Sequence, residues 1–270
     1  MKKFAVIIAA AGKSRRFQKG GSPLTLNAPK KPFAPLKGRA VWLHSAERFA
    51  RRRDVAQLIL VVSPEDRADV ERKFAAELSL YGIEIVEGGV ERFLSVENGL
   101  KAVKASVDYV AVHDAARPCV SDGDVENVFA EATRTGAAIL AAPIVGSIKR
   151  ARPASSGGKL ETEVVREKLG LGAANGERLA VDESTPRENL WEAQTPQVFE
   201  KTLLERAFRE RKPDFQPTDD AGLVEALGAE VAIVPGARTN IKITSNDDLA
   251  IAEKFLEIVA RRDAKPKGFF

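Results

Sequence analysis

The sequence predicts an α/β fold, an open and mostly parallel sheet flanked by helices. Two observations carry that expectation. Residues 4–10, 56–63, 83–88, 108–114 and 137–144 (FAVIIAA, AQLILVVS, IEIVEG, DYVAVHD, AAILAAPI) are near-continuous apolar runs. Runs of that kind, without alternation, suit strands buried on both faces. The segments between them, VWLHSAERFARR, PEDRADVERKFAAEL, RFLSVENGLKAV and DGDVENVFAEATRT, carry apolar residues at helical spacing. Strand–helix alternation builds a parallel sheet.

The elements follow in order. MKKFAVIIAA is read as the first buried strand and not as a leader, because Lys13, Arg15 and Arg16 follow a short apolar run without a small-residue cleavage site. Pro64, with Glu65 and Asp66 behind it, starts a helix, and Ser63 is available as its cap. The period is lost at Lys149, where a stretch rich in Gly, Ser and charge is expected to form an extension holding short strands or to be partly disordered. TPQVF, helices from about Glu200 and Asp219, and the runs EVAIVPG and TNIKIT then restore the α/β character. SNDDLAIAEKFLEIVARR is the final helix, with Ser245 and Asn246 as cap candidates and Asp247 and Asp248 in its first turn. We expect one domain over 1–270, an inserted arm at about 148–190 and a disordered tail at 263–270.

Composition narrows the function. The 270 residues are 44% hydrophobic and 30% charged, with one cysteine, Cys119, and two histidines, His44 and His113. No internal disulfide is possible, a zinc site has few ligands, and a cytoplasmic setting is expected. No apolar run approaches the roughly twenty residues of a membrane span. The net charge of +4 suits an anionic ligand, but acidic residues are interspersed and no dense basic-aromatic stretch points to nucleic acid.

VIIAAAGKSRRF, residues 6–17, ends a strand in Gly-Lys-Ser, as ATPase phosphate loops do. That loop needs a glycine five residues before Gly12, where Ile7 stands inside the strand, so the ATPase reading is rejected. Small residues still let a ligand approach the backbone, and Arg15 and Arg16 supply charge.

In an open α/β sheet ligands bind at the carboxyl ends of strands. Those ends bring Gly12, Arg15 and Arg16; Gly88, Gly89, Arg92 and Ser95; Asp114 and Arg117; and Ser147 and Lys149. Lys30, Lys31 and Lys242 join them from loops. Taken singly each is a surface charge or a cap, and Asp114 has the place of a helix cap. Together, many cations and one carboxylate suit a polyphosphate with a metal ion.

AAAGKSRRF, KPFAPLKGRAVWLHS, GGVERFLSV, VHDAARPCV, AAPIVGSIKRA, LWEAQTPQVF and NIKITSNDDL stand in the order found in the 2-C-methyl-D-erythritol 4-phosphate cytidylyltransferases of non-mevalonate isoprenoid synthesis. The chain resembles that family from Phe4 to about Arg262. Cytidylyltransferases for ribitol and other pentitol phosphates are similar, but carry a bulkier residue at Ala116 and a Gly-Gly-rich first loop. A non-catalytic nucleotide-binding regulator is the alternative from another class.

The resemblance implies a Rossmann-like nucleotidyltransferase sheet with a protruding dimerisation arm. It implies attack by a substrate phosphate on the α-phosphorus of CTP, with magnesium or another divalent cation on the phosphates and no certain protein ligand, Asp114 being a candidate. The transition-state cations fall on Arg16 and Lys31. Counting back from Phe33 and Pro35 selects Lys31, with Lys30 the other candidate. The nucleotide side falls on Ala10, Ala11, Gly12, Gly88, Arg92 and Ser95. Asp114, Arg117, Ser147 and Thr195 match the substrate side, and Arg187 and Lys242 the cations that position its phosphate. The implied partners are CTP, a small phosphorylated polyol and a second copy of the chain, with no nucleic acid or membrane. The arm would carry Arg187 into the partner's site, opposite that partner's Lys242. The chain departs from the family pattern at Ser147 (usually Thr), at Gly146 and Val90 (usually acidic), and in its longer segments 18–30 and 152–187.

Overall fold

The apolar run at the start of the chain becomes the middle of a sheet. In the computed structural model, which describes residues 1–12, 30–154 and 179–264, β1 (Phe4–Ala9) pairs in parallel with β4 (Val55–Val62) on one side and β6 (Tyr109–Asp114) on the other. β5 (Ile83–Glu87) extends the sheet beyond β4. Beyond β6 lie β10 (Trp191–Glu200), β7 (Ala137–Pro143) and β11 (Ala232–Pro235), giving seven strands in the order β11-β7-β10-β6-β1-β4-β5.

β1 shows why an unbroken apolar run was needed. Phe4, Val6 and Ile8 point to one face, into a core with Trp42 and Phe49 of α1 (Val41–Ala50) and Phe129 of α5 (Asp122–Thr135). Ala5 and Ile7 point to the other, against Val96 and Leu100 of α4 (Arg92–Lys101), Leu204 of α6 (Lys201–Arg209) and Leu223 of α7 (Asp220–Glu225). A third cluster joins Leu36 and Cys119 to Ile243 and to Ala252 and Val259 of α8 (Asn246–Asp263). Leu36 belongs to a two-stranded turn, β2 (Pro35–Leu36) with β3 (Arg39–Ala40).

β10 is the strand that runs against its neighbours, antiparallel to both β6 and β7. Between β7 and β10 the chain leaves the sheet as a hairpin, β8 (Ile148–Pro153) paired with β9 (Leu179–Thr185), and returns at the same end, where Trp191 faces Pro143. A strand entering at the end its neighbour has just left has to run the other way. This hairpin is the extension expected after Lys149; Leu179 and Val181 are exposed on it, and residues 155–178 lie outside the described residues.

Four local expectations are corrected. The helix expected from Pro64 is a 3-10 turn, Pro64–Asp66, then α2 (Arg67–Lys73) and α3 (Ala75–Tyr81). The break falls at Phe74, whose ring turns inward to meet Trp42 edge-on at 5.4 Å. Ser63 holds the cap position, but its hydroxyl donates to the Asp66 carboxylate at 2.5 Å instead of accepting a backbone N–H. TNIKIT forms no strand; it is irregular chain, held by Arg117 donating to the Asn240 carbonyl and by the Ile243 N–H donating to Ala116 O. α8 runs through Asp263, which the expected tail included, because Arg48 pairs with its carboxylate at 2.5 Å; residues 265–270 lie outside the described residues. Ser245 does cap α8, in a reciprocal box with Asp248.

Candidate active site

The carboxyl ends of β1, β5 and β6 open on one cleft of about 370 Å³. Ala11 and Gly12 continue from β1, Gly89 to Ser95 from β5, and Asp114 closes β6; Lys31 and Lys242 complete the wall. A second cleft of about 250 Å³ adjoins it, walled by Arg117, Gln194, Thr195 and Gln197. Arg92, Asp114 and Lys242 line both clefts and form the ridge between them.

Asp114 is the hub of that ridge. It is buried, with Lys242 Nζ at 2.7 Å from one carboxylate oxygen and Arg92 Nη2 at 3.2 Å from the other. Arg117 Nε lies 3.7 Å away and, though buried, has no hydrogen-bond acceptor among the described residues. Burial by itself would raise the Asp114 pKa, but the charges of Arg92, Lys242 and Arg117 outweigh it and hold the carboxyl below its ordinary value. Arg117 goes the other way: burial lowers its pKa, and Asp114 restores only part. Arg92 has its pKa raised, because Asp220 and Asp114 more than offset its burial. Asp114 is not a helix cap; Ser121 takes that role for α5.

Behind the ridge lies a wholly buried histidine. His113 Nε2 faces the Arg117 carbonyl at 3.1 Å, and a carbonyl can only accept, so Nε2 carries the proton. Nδ1 is then the acceptor for the Thr195 hydroxyl at 3.2 Å, and that oxygen accepts the Asp114 N–H at 3.0 Å. Burial lowers the His113 pKa to about 4. A neutral ring with both nitrogens engaged fixes the backbone under Asp114 and offers no base to the cleft.

The glycine loop is shaped by contact. A Cβ on Gly88 would stand 2.5 Å from Ala11 Cβ and 2.8 Å from Ser95 Oγ, so the loops after β1 and β5 touch only because position 88 has no side chain. Ser95 accepts the Gly89 N–H at 3.1 Å and donates to the Glu91 carbonyl at 3.0 Å, pinning the loop.

Residues 4–169 and 163–258 match the family described as IspD: 2-C-methyl-D-erythritol 4-phosphate cytidylyltransferase. The chain belongs to this family. Among cytidylyltransferases of that name, a relative from Solibacter usitatus (strain Ellin6076) is 36% identical over 261 residues, covering 96% of this chain and 98% of its own. One from Rhodopirellula baltica (strain DSM 10527 / NCIMB 13988 / SH1) is 37% identical over 263 residues, covering 93% and 94%. The crystal structure of the cytidylyltransferase from Thermus thermophilus aligns with a TM-score of 0.67 at 29% identity, over 95% of this chain and 100% of that one.

Set against this cytidylyltransferase framework, the expected site residues do not all meet in one place. Ala11, Gly12, Lys31, Arg92, Ser95, Asp114 and Lys242 meet at the first cleft, and Arg117 and Thr195 at the second. Ala10 is buried beneath the β1 end, and Gly88 is where the two loops touch. Lys30 turns away from the cleft: its ammonium meets Asp66 at 2.7 Å, Glu65 at 2.9 Å and Ser63 Oγ at 3.0 Å. Ser147, Lys149 and Arg187 are exposed at the root of the arm, where Arg187 donates to the Val145 carbonyl and Lys149 to Ser184. Arg15 and Arg16 lie outside the described residues.

Two participants were not read from the sequence. Asp220, fully buried, forks onto Arg92, and Gln197 holds the start of α7 behind it. From PTDDAGLVEAL only a helix start near Asp219 was read, and Asp219 is indeed the cap of α7, accepting the Gly222 N–H.

Among the described residues no cluster of three metal-ligating carboxylates, histidines or cysteines exists, and no helix is long and apolar enough to cross a membrane.

Proposed function

We propose that the protein transfers a cytidylyl group from CTP to the phosphate of 2-C-methyl-D-erythritol 4-phosphate, releasing pyrophosphate. One observation carries this reading: in a chain matched to the family along nearly its whole length, Arg92, Asp114 and Lys242 form a charged ridge between two adjoining clefts.

The chemistry asks for little beyond charge and position. The attacking phosphate oxygen is already an anion, so no base is needed, consistent with His113 being neutral and engaged on both sides. Bringing two anions together is the larger task. Arg16 and Lys31 stabilise charge on the pentacoordinate phosphorus. The base of CTP lies against the backbone of Ala10 to Gly12 and Gly88, with Ser95 setting the loop. The polyol phosphate occupies the second cleft, which Arg117 lines. Thr195 lines that cleft, and Lys242 meets the phosphate.

A magnesium ion fits this site as a passenger on the triphosphate and not as a protein-built centre. Mg²⁺ keeps waters and phosphate oxygens and asks for one or two carboxylates, and Asp114 is the carboxylate on the ridge. When bound, such an ion neutralises phosphate charge and improves pyrophosphate as a leaving group.

Residues 1–270 act as one nucleotidyltransferase domain in a cytoplasmic homodimer joined through the arm. The exposed Leu179 and Val181 support an isologous pairing there, which carries Arg187 to the partner's substrate phosphate.

The test is pyrophosphate release from CTP with magnesium, alone, with 2-C-methyl-D-erythritol 4-phosphate and with ribitol 5-phosphate. Release only with the first polyol is expected. Release only with ribitol 5-phosphate would make this a pentitol enzyme, and none with either would leave a nucleotide-binding protein.

A further inference from the structure

Asp220 is a fully buried carboxylate that none of these steps uses. Its backbone is fixed: Gln197 Oε1 accepts the N–H groups of Asp220 and Ala221 at 3.1 and 2.9 Å. Its two oxygens take Nη1 and Nη2 of Arg92 at 3.0 and 2.8 Å. The remaining Arg92 nitrogen, Nε, donates to Asp114 Oδ1 at 3.3 Å. Every nitrogen of this guanidinium therefore meets a carboxylate. Yet Arg92 is the first residue of α4 and lines both clefts. An arginine with a free fork in that place would bind phosphate bidentately.

We propose that Asp220 is a positioning residue that saturates the Arg92 fork, so that Arg92 holds Asp114 toward Lys242 instead of seizing a phosphate. The inference rests on the nucleotidyl-transfer reading above. Arg92 meets both Asp114 and Asp220, Arg117 and Lys242 meet Asp114, and Asp219 lies beside Asp220. Neutralising Asp220 removes one negative charge from this cluster and frees the outer edge of Arg92 toward the clefts. Pyrophosphate would then be held too tightly, and Asp114 would lose its fixed orientation.

Asp220→Asn keeps the shape and removes the charge. Asp220→Asn/Arg92→Gln removes both members of the pair, so no buried charge is stranded. Each is compared with the parent by calorimetric titration with inorganic pyrophosphate, by thermal unfolding and by steady-state cytidylyl transfer. The single variant should bind pyrophosphate about fivefold tighter or more, with kcat down about tenfold and KM for CTP changed less than about threefold. The double variant should return to within about threefold of the parent's pyrophosphate affinity, because a saturated Arg92 contributes nothing to it. A single variant that binds no tighter, or a double variant weaker by more than about threefold, overturns the proposal. If the single variant fails to fold, the double variant decides alone by the same threshold. An inactive parent would sink the function reading, while the pyrophosphate titrations would still judge the role of Asp220.

Discussion

Lys242 Nζ lies 2.7 Å from Asp114 Oδ2, pairing a residue of irregular chain with the last residue of a central strand. The contact holds the lysine on the ridge between the clefts, where a substrate phosphate can take it over. Lys242→Ala should lower kcat/KM for the polyol phosphate by about 10²–10³-fold, the usual loss for one preorganised charge donor. KM for CTP should barely move, and stability should change little, since Asp114 keeps Arg92. A rise confined to the KM for CTP would place Lys242 on the nucleotide instead.

Lys31 and Lys30 are neighbours with different surroundings. Lys31→Ala should cut turnover by about 10²–10³-fold. Lys30→Ala leaves Asp66 without its ammonium and should cost about 1–2 kcal/mol of stability, with a smaller loss of turnover. Silent Lys31→Ala with damaging Lys30→Ala would shift the catalytic role by one residue.

Gly88→Ala forces a Cβ to within 2.5 Å of Ala11 Cβ, so one of the two loops has to move. With CTP bound as proposed, KM for CTP should rise about tenfold or more, while the polyol phosphate binds as before. Unchanged CTP kinetics would show that this contact does not shape the pocket.

The buried His113 sets an acid limit on stability. Its pKa is about 4 in the fold against 6.5 when free, so between those values the unfolded chain binds more protons than the folded one. Stability is therefore full above about pH 6.5 and falls as pH drops toward 4, by on the order of 3 kcal/mol from this group. Urea unfolding at pH 7, 5.5 and 4.5 measures the slope. The same slope in His113→Gln would assign it to other groups.

Arg187 tests the assembly. Arg187→Ala and Lys31→Ala chains, each nearly inactive, should regain activity when their subunits exchange. One mixed site would carry both defects and the other neither. No recovery after verified exchange would mean that Arg187 works within its own chain or not at all.

How much was legible follows from the range of each force. The strands were readable because burial on both faces demands an unbroken apolar run, and FAVIIA or YVAVHD has few other uses. The Ser121 and Ser245 caps are local geometry, and Ser245 was read on that ground. Phe74 was missed as a helix break, since nothing nearby in sequence shows Trp42 waiting for its ring. TNIKIT looked like a strand because its apolar residues alternate, yet Ile243 is buried, and Ile241 partly so, in the cluster with α8 and Ala116 and not in a ladder.

By itself the sequence determined the α/β class and the family. Both are written in composition, periodicity and motif order. Only the tertiary structure decided which charges face one another. It turned Lys30 toward Asp66 and left Lys31 on the cleft, and it brought Asp220 from the start of α7 to saturate Arg92. Charge pairing depends on separations of a few ångströms between residues far apart in the chain, and a linear pattern carries no such distance.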